Sequence, residues 1–409
     1  MEKSVKWLTC TPVRFPGDHT FFSRDSGLLC KGFQEIGVDC KAVMPGPPMD
    51  SDLSADLIRT DYRNLEDPAW WRAQGASGVV FYGWGDGRYV KIARAIKRAG
   101  LLLVSNLDNN GLFSIHNGFA EYAGFLWRVS LGEAAHPLSG CFRFLMRLAI
   151  ASSIGILRND RGRARHLNEA DVIGAVTPIA LERSRRVCCA YGGTSLMERV
   201  RLIPHPSPSY MKHDPAIRKE RLIVAMGRWD DERIKGAELL MRTTRRCLEK
   251  DPDLQVEVYG SPNKAMSQWQ RGLPQPLQRR LHLKGVVSNT EIAAALRRAR
   301  VSLCTSLTES YHAASAQALC CGCSVVGPDT PDVPSMQWFA TEPFGRTAKR
   351  DEASLAMAVA LEMSSWDHGE RDSTAISQHW GGLLHAPCIA KAILSMFKMD
   401  SNGLKATVT

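Results

Sequence analysis

The chain has 409 residues, 44% hydrophobic and 23% charged, which suits two or three domains with cores of their own and excludes a disordered or fibrous chain. Its formal net charge is +10, yet no recognised nucleic-acid-binding motif accompanies that charge, so nucleic acid is not an expected partner. Three readings of the basic clusters stay open: solvated helix faces, anionic substrates, or an anionic membrane surface.

In chain order, Val5 to Cys10 reads as a strand and Gly17 to Arg24 as a polar loop. No apolar h-region follows the first lysines, so no signal peptide is expected and the location expected is cytoplasmic. Asp25 to Ile36 has helical spacing, Val38 to Met44 is a strand ending at Pro45, and Val79 to Tyr82 is another strand. A basic amphipathic helix over Tyr89 to Ala99 precedes the strand Leu101 to Ser105. Phe142 to Leu157 is apolar but broken by Arg143 and Arg147, too short and too charged for a membrane span. Two readings of it stay open. It is an internal helix whose basic last turn complements its dipole, or an interfacial helix on the inner, anionic face of a membrane. Asp171 to Val176 and Val200 to Pro204 complete the first half.

The Pro- and charge-rich stretch His205 to Lys219 marks a linker. The pattern then restarts, with strands at Arg221 to Met226, Leu254 to Tyr259, Leu281 to Lys284, Val301 to Cys304 and Ser324 to Val326, and helices at Gly236 to Glu249 and Glu291 to Arg300. Strands separated by helix-length spacers predict doubly wound parallel sheets. The expected domains are 1–205, a linker 206–219, 220–375, a helical segment 376–400 returning to the first domain, and a loose tail 401–409.

Two segments carry the chemistry. Thr305 to Gly327 reads as strand end, polar turn, helix and strand, with Glu309 at the mouth of the helix. Unpaired N–H groups and partial positive charge make such a mouth suited to an anion or polar ligand. Met226-Gly227-Arg228-Trp229, followed by Lys235-Gly236, places a planar guanidinium and an ammonium after a strand, a pair suited to phosphate oxygens. No second cysteine or histidine pair accompanies Cys320, Cys321 and Cys323 at ligand spacing, so no metal is expected and these thiols read as small buried residues.

Glu309-Ser310-Tyr311-His312, Gln317 to Gly322 and Ser324-Val325-Val326 together resemble the nucleotide-sugar signature of GT-B glycosyltransferases of the family-4, or group 1, type. Gly227-Arg228 with Lys235-Gly236 resembles the G-R-x-x-x-x-K-G element of that family. Ala170-Asp171-Val172-Ile173 with Thr177, and Leu202-Ile203-Pro204, resemble elements of its N-terminal domain, although His205-Pro206 stands where the family has N-G.

The resemblance implies an α/β GT-B fold, two Rossmann-like domains facing a cleft. It implies retaining, metal-independent transfer of a sugar from a nucleotide-diphosphate sugar to a glycan, lipid-linked or small-molecule acceptor, with no cofactor beyond that co-substrate. Arg228 and Lys235 would steady the departing diphosphate and Glu309 would accept from sugar hydroxyls. Gly17, Gly227, Gly260, Val286, Ser310, Tyr311, His312 and Gln317 complete the donor side, and Asp18, Asp108 and His116 are the acceptor-side candidates. Gln317 lies eight residues beyond Glu309, about 12 Å if the path were helical. The family has an acid there, which a neutral amide matches only in part. Gln317, Asp18 and His205-Pro206 also admit a non-catalytic GT-B protein that binds a nucleotide or glycan. A nicotinamide-dependent enzyme has no support, because no G-x-G-x-x-G follows a strand.

Overall fold

The computed structural model describes residues 5–132, 136–261, 263–400 and 403–406. Contacts divide the chain into two units, one of residues 1–206 with 386–409, the other of 207–385.

The first unit holds a seven-stranded parallel sheet built from β1 (Lys6–Cys10), β2 (Asp39–Pro45), β3 (Leu57–Thr60), β4 (Gly78–Phe81), β5 (Leu102–Asn106), β6 (Val172–Ala175) and β7 (Val200–Leu202). Their order is β3-β2-β1-β4-β5-β6-β7. Alternate residues face opposite cores: Leu8, Cys10, Val79 and Phe81 pack on one side, Trp7, Val80 and Tyr82 on the other. A sheet covered on both faces needs apolar residues at successive positions, which is why these strands read as runs rather than as alternations. Residues expected as a polar loop, Gly17 to Arg24, include a short helix, Asp18–Phe22, because Phe21 and Phe22 are buried in the second of these cores. The helix Ala386–Ser395 packs against Asp25–Glu35, and Gly32 permits it: a Cβ there would meet the Ala386 carbonyl at 2.4 Å.

The second unit repeats the plan with six parallel strands: β8 (Glu220–Met226), β9 (Gln255–Tyr259), β10 (Leu281–Gly285), β11 (Ala299–Leu303), β12 (Ser324–Pro328) and β13 (Gly345–Ala348), in the order β10-β9-β8-β11-β12-β13. Cys320, Cys321 and Cys323 are buried, and the Cys323 thiol donates to the carbonyl of Leu296 at 2.9 Å. Residues 207–219, expected as a linker, cluster with this unit: the Ser207 amide donates to Leu384 O at 2.7 Å and the His213 amide to Ser377 Oγ at 3.0 Å. The chain leaves the unit between His385 and Ala386, ten residues after the expected boundary, because the helix Ser373–Leu384 packs on Ala313–Cys320 and Ser377 Oγ donates to Cys320 O at 2.5 Å.

β3 and β13 have no counterpart among the expected strands; both are four residues long and carry charged or polar side chains. Within the tail 401–409, Gly403–Ala406 pairs antiparallel with Phe397–Asp400, whereas 401–402 and 407–409 lie outside the described residues, as do 1–4 of the N-terminal stretch.

In each sheet the order reverses direction beside its first strand, between β1 and β4 and between β8 and β11. Loops leaving the carboxyl ends of strands at such a reversal form the ligand crevice of open parallel sheets.

Candidate functional site

The loops after β8 and β11 carry the residues expected to hold the donor. Gly227 and Arg228 follow β8, and the buried Trp229 pins the loop, its indole donating to Tyr259 O at 2.9 Å. A short helix, Glu232–Lys235, ends at Gly236, whose φ of 65° is left-handed. A Cβ at Gly236 would lie 2.6 Å from Thr305 O, so glycine is required by both conformation and space.

Among the described residues, three bonds join this loop to the one after β11. Leu307 N donates to Ile234 O at 2.7 Å, Thr305 Oγ1 to Lys235 O at 3.0 Å, and the Lys235 ammonium pairs directly with the Glu309 carboxylate. Ser306 Oγ donates to the same Glu309 oxygen at 3.1 Å. Arg350, which no motif signalled, braces the turn by donating to Thr305 O and Ser306 O, each at 3.1 Å. The structure therefore brings Lys235 and Glu309 together. Arg228 sits apart from that pair, 73% exposed, with Asp231 4.0 Å away.

The helix after this turn begins at Ala313, so Glu309 to His312 form the turn and the 12 Å helical spacing from Glu309 to Gln317 does not hold. His312 caps the helix, its Nδ1 accepting from the Ser315 amide at 3.3 Å. Burial, and secondarily the nearby Lys235 charge, push His312 down to about 3, so the ring is neutral with its proton on Nε2. Tyr311 is buried edge-on against Phe339, their centroids 5.3 Å apart. Ser310 is half-buried, and so is Gln317, whose side-chain amide has no hydrogen bond among the described residues. Gly260 follows β9 with φ 105°, and a Cβ there would fall 1.9 Å from Gly227 O; its amide donates to Gly285 O at 2.8 Å. Val286, next in the chain, is exposed. A groove of about 860 Å³ along Glu342, Arg346, Met357 and Leu361 of the same unit shares no residue with these loops.

The acceptor-side candidates separate. Asp18, next to the helix-capping Gly17, is buried and its carboxylate accepts from the amides of Leu53 and Ser54 at 2.7 and 2.6 Å, which ties down a loop. His116 pairs with Asp160 at 3.7 Å beside Tyr191. Asp108 lies after β5, accepting from the Trp84 indole at 3.1 Å and bonded to His205 Nε2 at 2.6 Å. Asp25 approaches the other His205 nitrogen at 3.8 Å. Burial alone would lower the His205 pKa, but the charges of Asp25 and Asp108 and the Asp108 bond override it and raise it to about 9. His205 is thus a buried imidazolium between two carboxylates. Its signal in the sequence was the substitution of His205-Pro206 for N-G. Asp25, Asp108 and His205 place one donor atom each within 4.8 Å of one another, so a cation would have to displace the ring proton and break the Asp108 bond.

These loops belong to a recognisable class. Residues 220–360 match the family described as Glycosyl transferases group 1. In fold, the chain is similar to the lipopolysaccharide outer core galactosyltransferase WaaB, at 12% identity over 95% of this chain and 98% of that one, with a TM-score of 0.57. It is similar to Anabaena Alr3699/HepE, solved with UDP and glucose, at 12% identity over 96% and 98%, TM-score 0.56. It is also similar to the pneumococcal O-GlcNAc transferase GtfA, solved with UDP and GlcNAc, at 10% identity over 95% and 98%, TM-score 0.59. No curated protein matches it in sequence. The fold is GT-B, and within it residues 220–360, in the second unit, match the group 1 glycosyl transferase family.

Proposed function

We propose that the protein transfers a sugar, with retention and without a metal, from a nucleoside-diphosphate sugar to a glycan, lipid-linked or small-molecule hydroxyl, working in the cytoplasm at or near the inner face of a membrane. The observation that carries this is the Lys235–Glu309 pair, held at the carboxyl ends of the two strands that flank the sheet reversal. The pair stores two complementary groups in one place. A diphosphate would compete for the ammonium, and sugar hydroxyls would donate to the released carboxylate. Arg228, exposed on the same loop, is available to phosphate oxygens.

In the proposed step the bond from the anomeric carbon to the diphosphate oxygen breaks and its electron pair leaves with the diphosphate. The acceptor oxygen bonds to the same face of that carbon and passes its proton to the leaving phosphate. Lys235 and Arg228 neutralise the growing charge, the task a metal performs elsewhere. The bound UDP of HepE and GtfA supports a nucleotide partner. Asp108 and His205 are the proposed acceptor-side groups.

The test is turnover with a panel of UDP, GDP and ADP sugars in the presence of EDTA, with the product anomer read by NMR. Inversion, or loss of turnover in EDTA, would overturn the corresponding part. Tight nucleotide binding with no turnover on any donor would instead mean a binding protein, the reading that Gln317 in place of the family's acid favours.

A further inference from the structure

Helical conformation runs without a break from Pro137 to Glu169, 33 residues, within which an 18-residue apolar stretch has mean hydropathy 1.5 and is only 11% buried. By length and composition it is sufficient to cross a membrane. One side of it is covered. Gly140 is buried, and two contacts reach the helix Phe119–Gly132: Phe144 meets Trp127 edge-on with centroids 5.1 Å apart, and Arg147 donates to the buried Ser130 at 3.3 Å. The opposite side is bare. Leu138 is 85% exposed, Phe142 65%, Leu145 61% and Leu157 75%, with Met146, Ile150 and Ile154 exposed between them. Spacings of three and four residues put Leu138, Phe142, Leu145 and Met146 in one stripe. An internal helix would have covered this stripe; the structure leaves it uncovered.

The charge beside the stripe has one sign. No acid occurs from Pro137 to Leu157. Arg158, Arg161 and Arg165 follow, all exposed, and Arg163 lies over the Phe113 ring at 4.8 Å. The two acids of the segment are engaged: Asp160 is buried and accepts from Ser114 at 2.7 Å, and Glu169 pairs with Arg94 at 3.1 Å. Exposed cations next to an exposed apolar stripe complement anionic headgroups above acyl chains. Because one side is bonded to protein and only the other is apolar and bare, the helix suits lying in the interface rather than spanning.

We propose that the Pro137–Glu169 helix docks the protein on an anionic lipid surface, with Phe142 and Leu145 inserted and Arg158, Arg161 and Arg165 on the headgroups. This stands whether or not the transfer reaction does, because its readout is binding alone. The test is co-sedimentation of the full chain with phosphatidylcholine vesicles with and without phosphatidylglycerol. Binding is expected only to the anionic vesicles and should weaken as salt shortens the Debye length below about 10 Å. Replacing Phe142 and Leu145 together by Ser should cut partitioning by about tenfold or more. The triple change Arg158→Ser, Arg161→Ser, Arg165→Ser should abolish the preference for anionic lipid. All five side chains are exposed or half-exposed, and circular dichroism checks the fold; if the Ser pair misfolds, the arginine triple still decides. No binding to anionic vesicles, or binding indifferent to both variants, overturns the proposal. So does resistance to alkaline carbonate, which would mean a span, or a dimer in sedimentation velocity that the Ser pair dissociates, which would mean a second copy covers the stripe.

Discussion

The Trp84 indole donates to the Asp108 carboxylate at 3.1 Å, and both residues hold left-handed backbone, with φ of 54° and 40°. For residues other than glycine such conformations cost on the order of 1–3 kcal/mol each. They persist because the surroundings over-determine them. Asp108 is also clamped by His205, and Asn106 Oδ1 accepts its amide at 3.0 Å. Strain of this kind, at the carboxyl ends of β4 and β5, is what motivates placing acceptor chemistry at Asp108 and His205.

Stability should fall as pH rises through the alkaline range, and His205 should carry the effect. Its folded pKa of about 9 lies above the unfolded value of about 6.5, so between these pH values the native state holds a proton the unfolded chain lacks. The contribution is complete below about pH 6.5 and is lost as pH passes 9, a change on the order of 3 kcal/mol. Urea unfolding at a series of pH values should show this slope in the wild type and a flattened one in His205→Gln. Identical slopes in the two proteins would remove the imidazolium.

Lys235 and Arg228 should separate by stability. Lys235→Ala leaves the Glu309 carboxylate unpaired where it is only 12% exposed, so it should cost about 3 kcal/mol of stability besides about 10²–10³ in rate. Arg228→Ala removes an exposed side chain and should change stability by no more than about 0.5 kcal/mol while costing a comparable factor in rate. Thermal melts and donor kinetics decide it. A threefold or smaller rate effect for both would exclude the phosphate role.

Gln317 should respond to charge and to polarity differently. If its free amide meets the ribose hydroxyls, Gln317→Leu weakens nucleoside-diphosphate binding by about 1–2 kcal/mol, whereas Gln317→Glu leaves it unchanged or tighter. Calorimetric titration reads this, and equal affinity in all three proteins would mean that the residue faces elsewhere.

Gly236→Ala and Gly260→Ala should disrupt the donor loops. Each forces alanine into left-handed backbone, at about 1–2 kcal/mol, and each drives a methyl into a carbonyl oxygen, at 2.6 and 1.9 Å. Gly37→Ala is the control, with φ 81° but nothing within 4 Å of the new methyl, and should pay the conformational cost alone. Urea midpoints that match across the three variants would show that the carbonyl contacts relax freely.

Local pattern determined much of this protein by itself. Runs such as Leu222 to Met226 and Val79 to Phe81 are apolar at successive positions because both faces of a parallel strand are covered, so they could be read as strands without partners in view. The turn at Glu309, the glycine stop at Gly322 and the order of the Arg228 and Lys235 elements were legible for the same reason: each is set by neighbours within a few residues. Short strands such as Leu57–Thr60 and Gly345–Ala348 were not, because four residues with charged or polar members carry too little periodic signal. Tertiary structure alone decided which residues meet. Lys235 and Glu309 are 74 residues apart, and Asp108 and His205 are 97 apart, distances across which no spacing rule operates. It also decided which apolar stripe stays bare. The period of Phe142 to Leu157 reports that one side of a helix is apolar, and whether another element covers that side depends on where the rest of the chain packs.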